Sequence, residues 1–228
     1  MIRVLATLAF LFSAGPALAQ YTDAERAAQL ERLQAIAPAI ETFGAAMQAF
    51  ARCPAKHFGT LKEDVATRFG KWLAGGVETD TDICLLDPQA CFDLCETNDG
   101  AVCADLARAI EEVDGADPSH AVRLFAAACE MGNASGCTNR GSYMRAPRNW
   151  DPMKDKPETA ACAFDLFKLA CDRDDEWGCT MQGIVQSEGE GTAVDAATAR
   201  AALRKSCALA PDFEACTVAR SVLSTLDD

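Results

Sequence analysis

The sequence has little of what a sheet protein or a metal site requires. Alternation of β-branched and polar residues, which is typical of strands, is nearly absent over the 228 residues. There are only two histidines, His57 and His120, and no two cysteines have C-x-x-C spacing. Structural zinc sites are built from such cysteine pairs and from clustered histidines. We therefore expect no metal, and we interpret each histidine as a surface or capping residue.

Catalytic signatures are also missing. No serine has a lysine three positions later, and K-T-G is absent, so the motifs of serine β-lactamases are not present. No G-x-G-x-x-G sequence or phosphate-binding loop occurs. The sequence therefore predicts no catalytic residue and no cofactor.

The one markedly apolar run lies at the N-terminus and is too short to span a membrane. Arg3 precedes "VLATLAFLF", and Ala17 and Ala19 satisfy the A-x-A rule. We predict a signal peptide at residues 1–19, which makes the protein periplasmic or secreted without a membrane span. An uncleaved anchor or an ordinary buried helix is the alternative.

The chain is acidic, with a formal net charge of −13. Loss of Arg3 with the signal peptide would make the charge more negative by one. Such a surface repels nucleic acid and anionic lipid. Because no block of like charges occurs, the acidity is typical of solvated faces, although a basic partner would be favoured.

All cysteines follow the predicted cleavage site, and their number is even. In an exported chain this favours disulfides, because the compartments outside the cytoplasm are oxidising. The twelve are Cys53, Cys84, Cys91, Cys95, Cys103, Cys129, Cys137, Cys162, Cys171, Cys179, Cys207 and Cys216.

Eight of these cysteines form four pairs that recur along the chain. The first cysteines of successive pairs are 34, 42 and 36 residues apart, a range typical of two-helix solenoid repeats. The long step contains the insertion "MRAPRNWDPMKDKPET", which is typical of a surface loop. Apolar residues recur eight, four and one position before the first cysteine, on one face of a helix. Gly141 and Gly183 follow the second cysteine by four and indicate a close helix contact.

The two cysteines of a pair are eight positions apart, or nine in the last pair. On one helix they would be about 12 Å apart or more, whereas a disulfide needs α-carbons within about 7 Å. The chain must therefore reverse between them. Each bond would then join the end of one helix to the start of the next. The predicted pairs are Cys95–Cys103, Cys129–Cys137, Cys171–Cys179 and Cys207–Cys216.

Four cysteines remain outside this pattern. Since a solenoid repeat contacts only its neighbours, Cys53 could reach Cys84 or Cys91, and we predict Cys53–Cys84. Cys162 is expected to lie far from Cys53. Cys91 and Cys162 would then be free or paired in another way. Cys91 and Cys95 share a helix face, so they could also form half of a metal or haem site, although buried thiols are the commoner outcome.

The segment before the repeats has no cysteine pair. We predict a helix to about Ala35, a second helix ending near Cys53, and a third in "LKEDVATRFGKWLAGG" that stops at Gly75-Gly76. Terminal units of solenoids are usually atypical. Residues 20–83 are therefore interpreted as an N-terminal helical cap and residues 84–228 as repeats. A separate small bundle is the alternative for the first part.

The stretches "AVRLFAAACEMGNASGCTNRGSYM" and "AFDLFKLACDRDDEWGCTMQGIVQ" resemble the Sel1-like repeat family in its cysteine-rich, secreted form. The resemblance covers about Leu86 to the C-terminus and is looser in the first and last repeats. It implies an all-α, right-handed superhelical solenoid, similar to tetratricopeptide repeats, with a concave binding face. Some relatives are described as penicillin-binding with weak β-lactamase activity, and one is associated with respiratory oxidase assembly.

The favoured function is a monomeric scaffold that binds a protein or peptide on the concave face. Trp150 and Trp177 are candidate contact residues, because aromatic side chains are enriched at binding hot spots; each could instead pack on its own repeat. The first alternative is a penicillin-recognising, β-lactamase-like hydrolase. The second is a cofactor or oxidase-assembly factor that uses Cys91, Cys95 or Cys162.

Overall fold

The computed structural model describes residues 21–59 and 80–226, and within these ranges it contains helices and no strand. The prediction of an all-α fold is confirmed. The predicted signal peptide and the predicted third helix of the cap lie outside the described residues. The ten α-helices are α1 (Asp23–Met47), α2 (Asp80–Leu86), α3 (Pro88–Glu96), α4 (Gly100–Glu112), α5 (Pro118–Glu130), α6 (Ala134–Arg145), α7 (Thr159–Asp172), α8 (Glu176–Glu188), α9 (Ala196–Leu209) and α10 (Glu214–Leu226).

Helices α3 to α10 form four hairpins in tandem. We call α3, α5, α7 and α9 the first helices of the repeats, and α4, α6, α8 and α10 the second helices. Each second helix packs on its own first helix, and α4, α6 and α8 also pack on the first helix of the next repeat. The predicted helical repeat solenoid is therefore present.

Side-chain caps fix where the helices begin. Asp87 and Asp117 accept backbone hydrogen bonds at the starts of α3 and α5, each directly before a proline. Asn133 and Asp175 cap second helices by accepting from the backbone N–H three residues later, at 2.6 Å. Asp175 also accepts from the Thr138 hydroxyl of the preceding repeat at 2.8 Å, so this cap links two repeats.

Each hairpin is closed by a disulfide that holds the two helices close together. The α-carbons of the four hairpin pairs are 4.8, 4.5, 4.3 and 4.5 Å apart, in chain order. A Cβ on Gly136 would lie 2.7 Å from the Ala128 Cβ, and one on Gly178 would lie 2.6 Å from the Ala170 Cβ. Glycine directly before the second cysteine therefore permits the close approach in the second and third repeats.

The later glycines serve the contact between repeats. A Cβ on Gly141 would lie 2.7 Å from Cε1 of Phe167, and one on Gly183 would overlap the Leu203 side chain. Phe167 and Leu203 are fully buried on the first helix of the following repeat. The predicted close helix contact is confirmed, and its partner is the next repeat.

The predicted Cys53–Cys84 pairing is wrong. Cys53 bonds Cys162 and Cys84 bonds Cys91, both with α-carbons 5.6 Å apart. Cys84 lies in the last turn of α2 and Cys91 in the first turn of α3, so the change of direction at Asp87 brings them together. Cys91 and Cys162 are therefore not free in this structure, and no cysteine in the described ranges is a free thiol.

Cys53 reaches the third repeat because the chain after α1 runs across α5 to α7. After α1, residues 48–59 form a segment with two 3-10 turns, Ala49–Ala51 and Pro54–His57, which we call the strap. The strap packs on α5 and α7. The Gly59 N–H donates to the Glu130 carbonyl at 2.8 Å, and the Lys156 ammonium donates to the Ala51 carbonyl at 2.8 Å. The expectation that Cys162 lies far from Cys53 was therefore incorrect.

Helix α1 is one long helix where two were predicted. It begins with a capping box between Thr22 and Glu25, continues through Pro38, and ends at Met47. It packs against α3 and α5, so it lies along the first helices. The predicted domain boundary between residues 83 and 84 falls inside α2, and the division into cap and repeats stays a prediction. Among the helices that the structure describes, none has the length and apolar character needed to cross a membrane.

The strap disulfide should stabilise the fold more than the short disulfide beside it. Cys53–Cys162 closes a loop of 109 residues and Cys84–Cys91 a loop of 7. Loop-closure entropy predicts losses of about 5 and about 2 kcal/mol when each pair is replaced by alanine. Urea unfolding of C53A/C162A and C84A/C91A measures both losses. A C53A/C162A variant as stable as wild type would contradict the described strap.

Candidate functional site

The first helix of the second repeat presents three polar side chains to the N-terminal segment. His120, Arg123 and Glu130 lie at helical spacing along α5, so they share one face. The His120 Nε2 is 3.3 Å from Glu41 Oε1 on α1. The stem of Arg123 packs against Gly44, where an added Cβ would lie 3.2 Å from the arginine Cβ and Cδ.

Glu130 joins the end of α5 to the strap. Arg52 donates to both of its carboxylate oxygens, with Nε–Oε1 at 2.9 Å and Nη2–Oε2 at 3.0 Å. The second Arg52 nitrogen also donates to the Met47 carbonyl at 3.2 Å. Burial raises the pKa of Glu130, and the hydrogen bonds and charge of Arg52 oppose this rise. The bidentate geometry makes the two side chains a charge-balanced pair.

Phe50 is the centre of the strap contact. Its ring is nearly buried and stacks on Trp150 from the insertion, with ring centroids 6.3 Å apart. The guanidinium carbons of Arg123 and Arg140 lie 4.3 and 5.4 Å from the ring centroid. Two guanidinium cations therefore face one aromatic ring, and the negative face of the ring attracts them electrostatically.

Arg140 holds the insertion and the strap together. Its guanidinium and the Asp151 carboxylate are fully buried and form two hydrogen bonds, at 2.5 and 2.9 Å. The same guanidinium donates to the Phe50 carbonyl at 3.2 Å. Asp151 also accepts from the Met153 N–H at 2.8 Å. The Arg140 Nε is buried without an acceptor among the described residues, but the terminal nitrogens are engaged and the pair has a structural role.

Arg123 differs from Arg52 and Arg140 because its guanidinium forms no ion pair within the described residues. Its Nε is buried without a hydrogen-bond acceptor, as is the Nε of Arg140. It lines an open cleft of about 260 Å³ between α1, the strap and α5. The other lining residues are Gly44, Ala45, Gln48, Phe50, Ala51 and Arg52.

The structure separates the two candidate tryptophans. Trp150 is 37% exposed and stacks on Phe50, so it lies beside the cleft region. Trp177 packs edge-on against Phe213, with centroids 6.4 Å apart, at the hairpin turns of the third and fourth repeats. The sequence therefore identified one residue near the site and one elsewhere.

Arg52 and Arg123, the cations of the cleft, were missed by sequence reasoning. Arg123 stands with His120 and Glu130 on the otherwise apolar helix "PSHAVRLFAAACE", and these three polar residues at helical spacing were a usable signal. Arg52 had no such signal, because the position of the strap depends on Cys53–Cys162.

The suggested cysteine-based cofactor site loses its ligands in this structure. Cys91, Cys95 and Cys162 belong to three different disulfides. A disulfide sulfur is not a thiolate ligand. Among the described residues, no group of three or more potential metal-ligating side chains is found.

No protein-family model and no curated protein matches the chain. Among solved structures, the chain is similar to Helicobacter pylori cysteine rich protein B, with a TM-score of 0.44 and 21% identity over 61% of this chain and 94% of that one. The repeat fold is assigned from the helical hairpins and disulfides of this chain.

Breaking the Arg140–Asp151 pair on one side should be more harmful than removing both charges. Arg140→Leu leaves the Asp151 carboxylate buried without a countercharge, which typically costs about 3–5 kcal/mol. The Arg140→Leu/Asp151→Leu variant removes that charge as well, and we expect it to be more stable than Arg140→Leu alone. Urea unfolding of Arg140→Leu, Asp151→Leu and the double variant gives the coupling free energy between the two side chains. Strictly additive losses would show that the two groups do not interact.

Proposed function

We propose that the protein is an exported repeat scaffold that binds a polypeptide segment of a partner on the face formed by its first helices. The carrying observation is that this face already holds such a segment of the chain itself. Helix α1 packs on α3 and α5, and the strap packs on α5 and α7.

One contact position is shared by two repeats. In α5, His120, Arg123 and Glu130 stand nine and six positions before and one position after the first cysteine, and all three contact α1 or the strap. In α7, the residue nine positions before the first cysteine is Cys162, which bonds the strap, whereas the residues at the other two positions are exposed. These positions lie on the side of the first helices that faces the N-terminal segment.

In the fourth repeat the same positions are exposed. Thr198, Ala201 and Ala208 occupy them on α9 and are exposed in the structure. Leu209, the next residue, is 37% exposed although it is a large apolar side chain. Small side chains permit close approach of a backbone, and an exposed leucine is suited to contact a partner. A polypeptide bound here would continue the row of contacts that α1 and the strap begin.

The other proposed functions have no comparable support. No contact among the described residues specifically favours a penicillin-recognising hydrolase, and the cysteines of the assembly-factor alternative are engaged in disulfides. The net charge of −13 disfavours nucleic acid as the partner. A periplasmic or secreted location and a monomeric state are part of the proposal.

Peptides selected from a random displayed library against the purified, oxidised protein test this function. Fluorescence anisotropy then compares binding of the selected peptides to wild type, Ala201→Glu and Ser221→Glu. We expect Ala201→Glu to weaken binding at least tenfold, because a long charged side chain obstructs the exposed face of α9.

Ser221→Glu is the matched control, since it adds the same charge at an exposed position on the second helix of the same repeat. It should leave binding within twofold of wild type. Equal effects of both variants, or no effect of Ala201→Glu on any selected peptide, would contradict the proposed binding face.

A further inference from the structure

We propose that the cleft beside Arg123 is a binding site for a single carboxylate group of a peptide. The proposal depends on the proposed function only for the source of the carboxylate; the site itself is defined by the contacts around Arg123. The carboxylate can belong to a chain terminus or to an aspartate or glutamate side chain, and the experiment below separates these two sources.

Arg123 is held in place before any ligand arrives. Its stem packs on Gly44 of α1, and its guanidinium lies 4.3 Å from the centroid of the Phe50 ring. A contact with an aromatic ring does not use the N–H donors of arginine as hydrogen bonds to an acid. The side chain is therefore ordered on both sides while its terminal N–H donors have no acceptor within the described residues. Preorganisation of this kind lowers the entropic cost of binding.

The terminal nitrogens of Arg123 form no hydrogen bond within the described residues. The Nε also lacks an acceptor, but it is buried and therefore cannot be reached from the cleft. Two adjacent arginine N–H donors match a carboxylate in a bidentate geometry. We therefore expect the carboxylate to bind end-on to the two terminal nitrogens.

The charges around the cleft favour a monoanion. Arg52 also lines the cleft, but its charge is balanced by the bidentate pair with Glu130. Asp117, at the start of α5, is engaged as a helix cap by the Ser119 N–H. Burial opposes a lower pKa for Asp117, while the Ser119 hydrogen bonds and the His120 and Arg123 charges hold its pKa below the ordinary value. Arg123 forms no ion pair within the described residues, and its single charge suits one carboxylate better than a phosphate dianion.

The cleft has the size and lining for the end of a peptide. Its volume is about 260 Å³, which fits one or two residues, and Ala45 and Ala51 contribute short apolar side chains to its wall. The cleft opens where α1 passes into the strap, on the α5 part of the first-helix face. A polypeptide on that face could therefore place a carboxylate on Arg123.

Small probes test the site without a known partner. N-acetylalanine has a terminal carboxylate, N-acetylaspartate α-amide has only a side-chain carboxylate, and N-acetylalaninamide is the neutral control. Each is titrated into the oxidised full chain while the arginine ¹H–¹⁵N Nε resonances are followed by NMR. The signal of Arg123 is assigned as the one lost in Arg123→Gln. We expect at least one acid to bind tenfold more tightly than the amide and to shift the Arg123 signal.

Variants separate the site from general charge attraction. Arg123→Gln should abolish the saturable shifts, and Arg123→Lys, which keeps the charge but loses the paired donors, should weaken binding several-fold. Arg204→Gln removes an exposed cation on α9 and should leave the affinity unchanged. The thermal midpoint of each variant shows that it is folded. The stronger of the two acids identifies the terminal or the side-chain source.

Equal binding of the acids and the amide would overturn the proposal, as would acid binding that persists in folded Arg123→Gln. Failure of the carboxylate site can be distinguished from failure of the proposed function. If selected peptides ignore Ala201→Glu while the acids still bind at Arg123, the proposed binding face is wrong and the carboxylate site stands.

Discussion

The fold depends on one constraint, the disulfide that closes each helical hairpin. Paired cysteines with α-carbons 4.3–4.8 Å apart hold the end of the first helix against the start of the second. Such proximity leaves room only for small side chains at the crossing, which explains Gly136 and Gly178. Each hairpin is then a rigid unit, and its second helix accepts a large side chain of the next repeat against Gly141 or Gly183. Tandem stacking follows from these local contacts.

The strap adds a long-range link to this series of local ones. A solenoid repeat normally contacts only its neighbours, but Cys53 and Cys162 join positions 109 residues apart. This bond fixes the strap across α5 and α7 and thereby places Phe50 between Arg123 and Arg140. The candidate site is therefore a product of the strap and the repeats together. In this site Arg52 and Arg140 are paired with Glu130 and Asp151. Arg123 contacts Phe50 instead and forms no ion pair within the described residues.

Local features of the fold could be predicted from the sequence, and long-range features could not. The hairpin reversals follow from cysteine spacing, and the glycine contacts follow from their place in the repeat. The partner of Cys53 could not be derived, because the path of the strap depends on contacts with residues about a hundred positions away. Two helices were predicted before Cys53, yet α1 is one helix that continues through Pro38. Trp150 was identified as a candidate contact residue. Arg123 was missed, because its contact with Phe50 and its cleft exist only when the strap is in place.

The central claim is that the N-terminal segment is fixed across the repeats by a covalent bond. Proteolysis under non-reducing conditions followed by mass spectrometry tests it most directly, with free thiols blocked beforehand to prevent exchange. The account predicts one cross-linked peptide that contains Cys53 and Cys162 and another that contains Cys84 and Cys91. A cross-linked peptide that joins Cys53 to Cys84, or an alkylated Cys162, would contradict it.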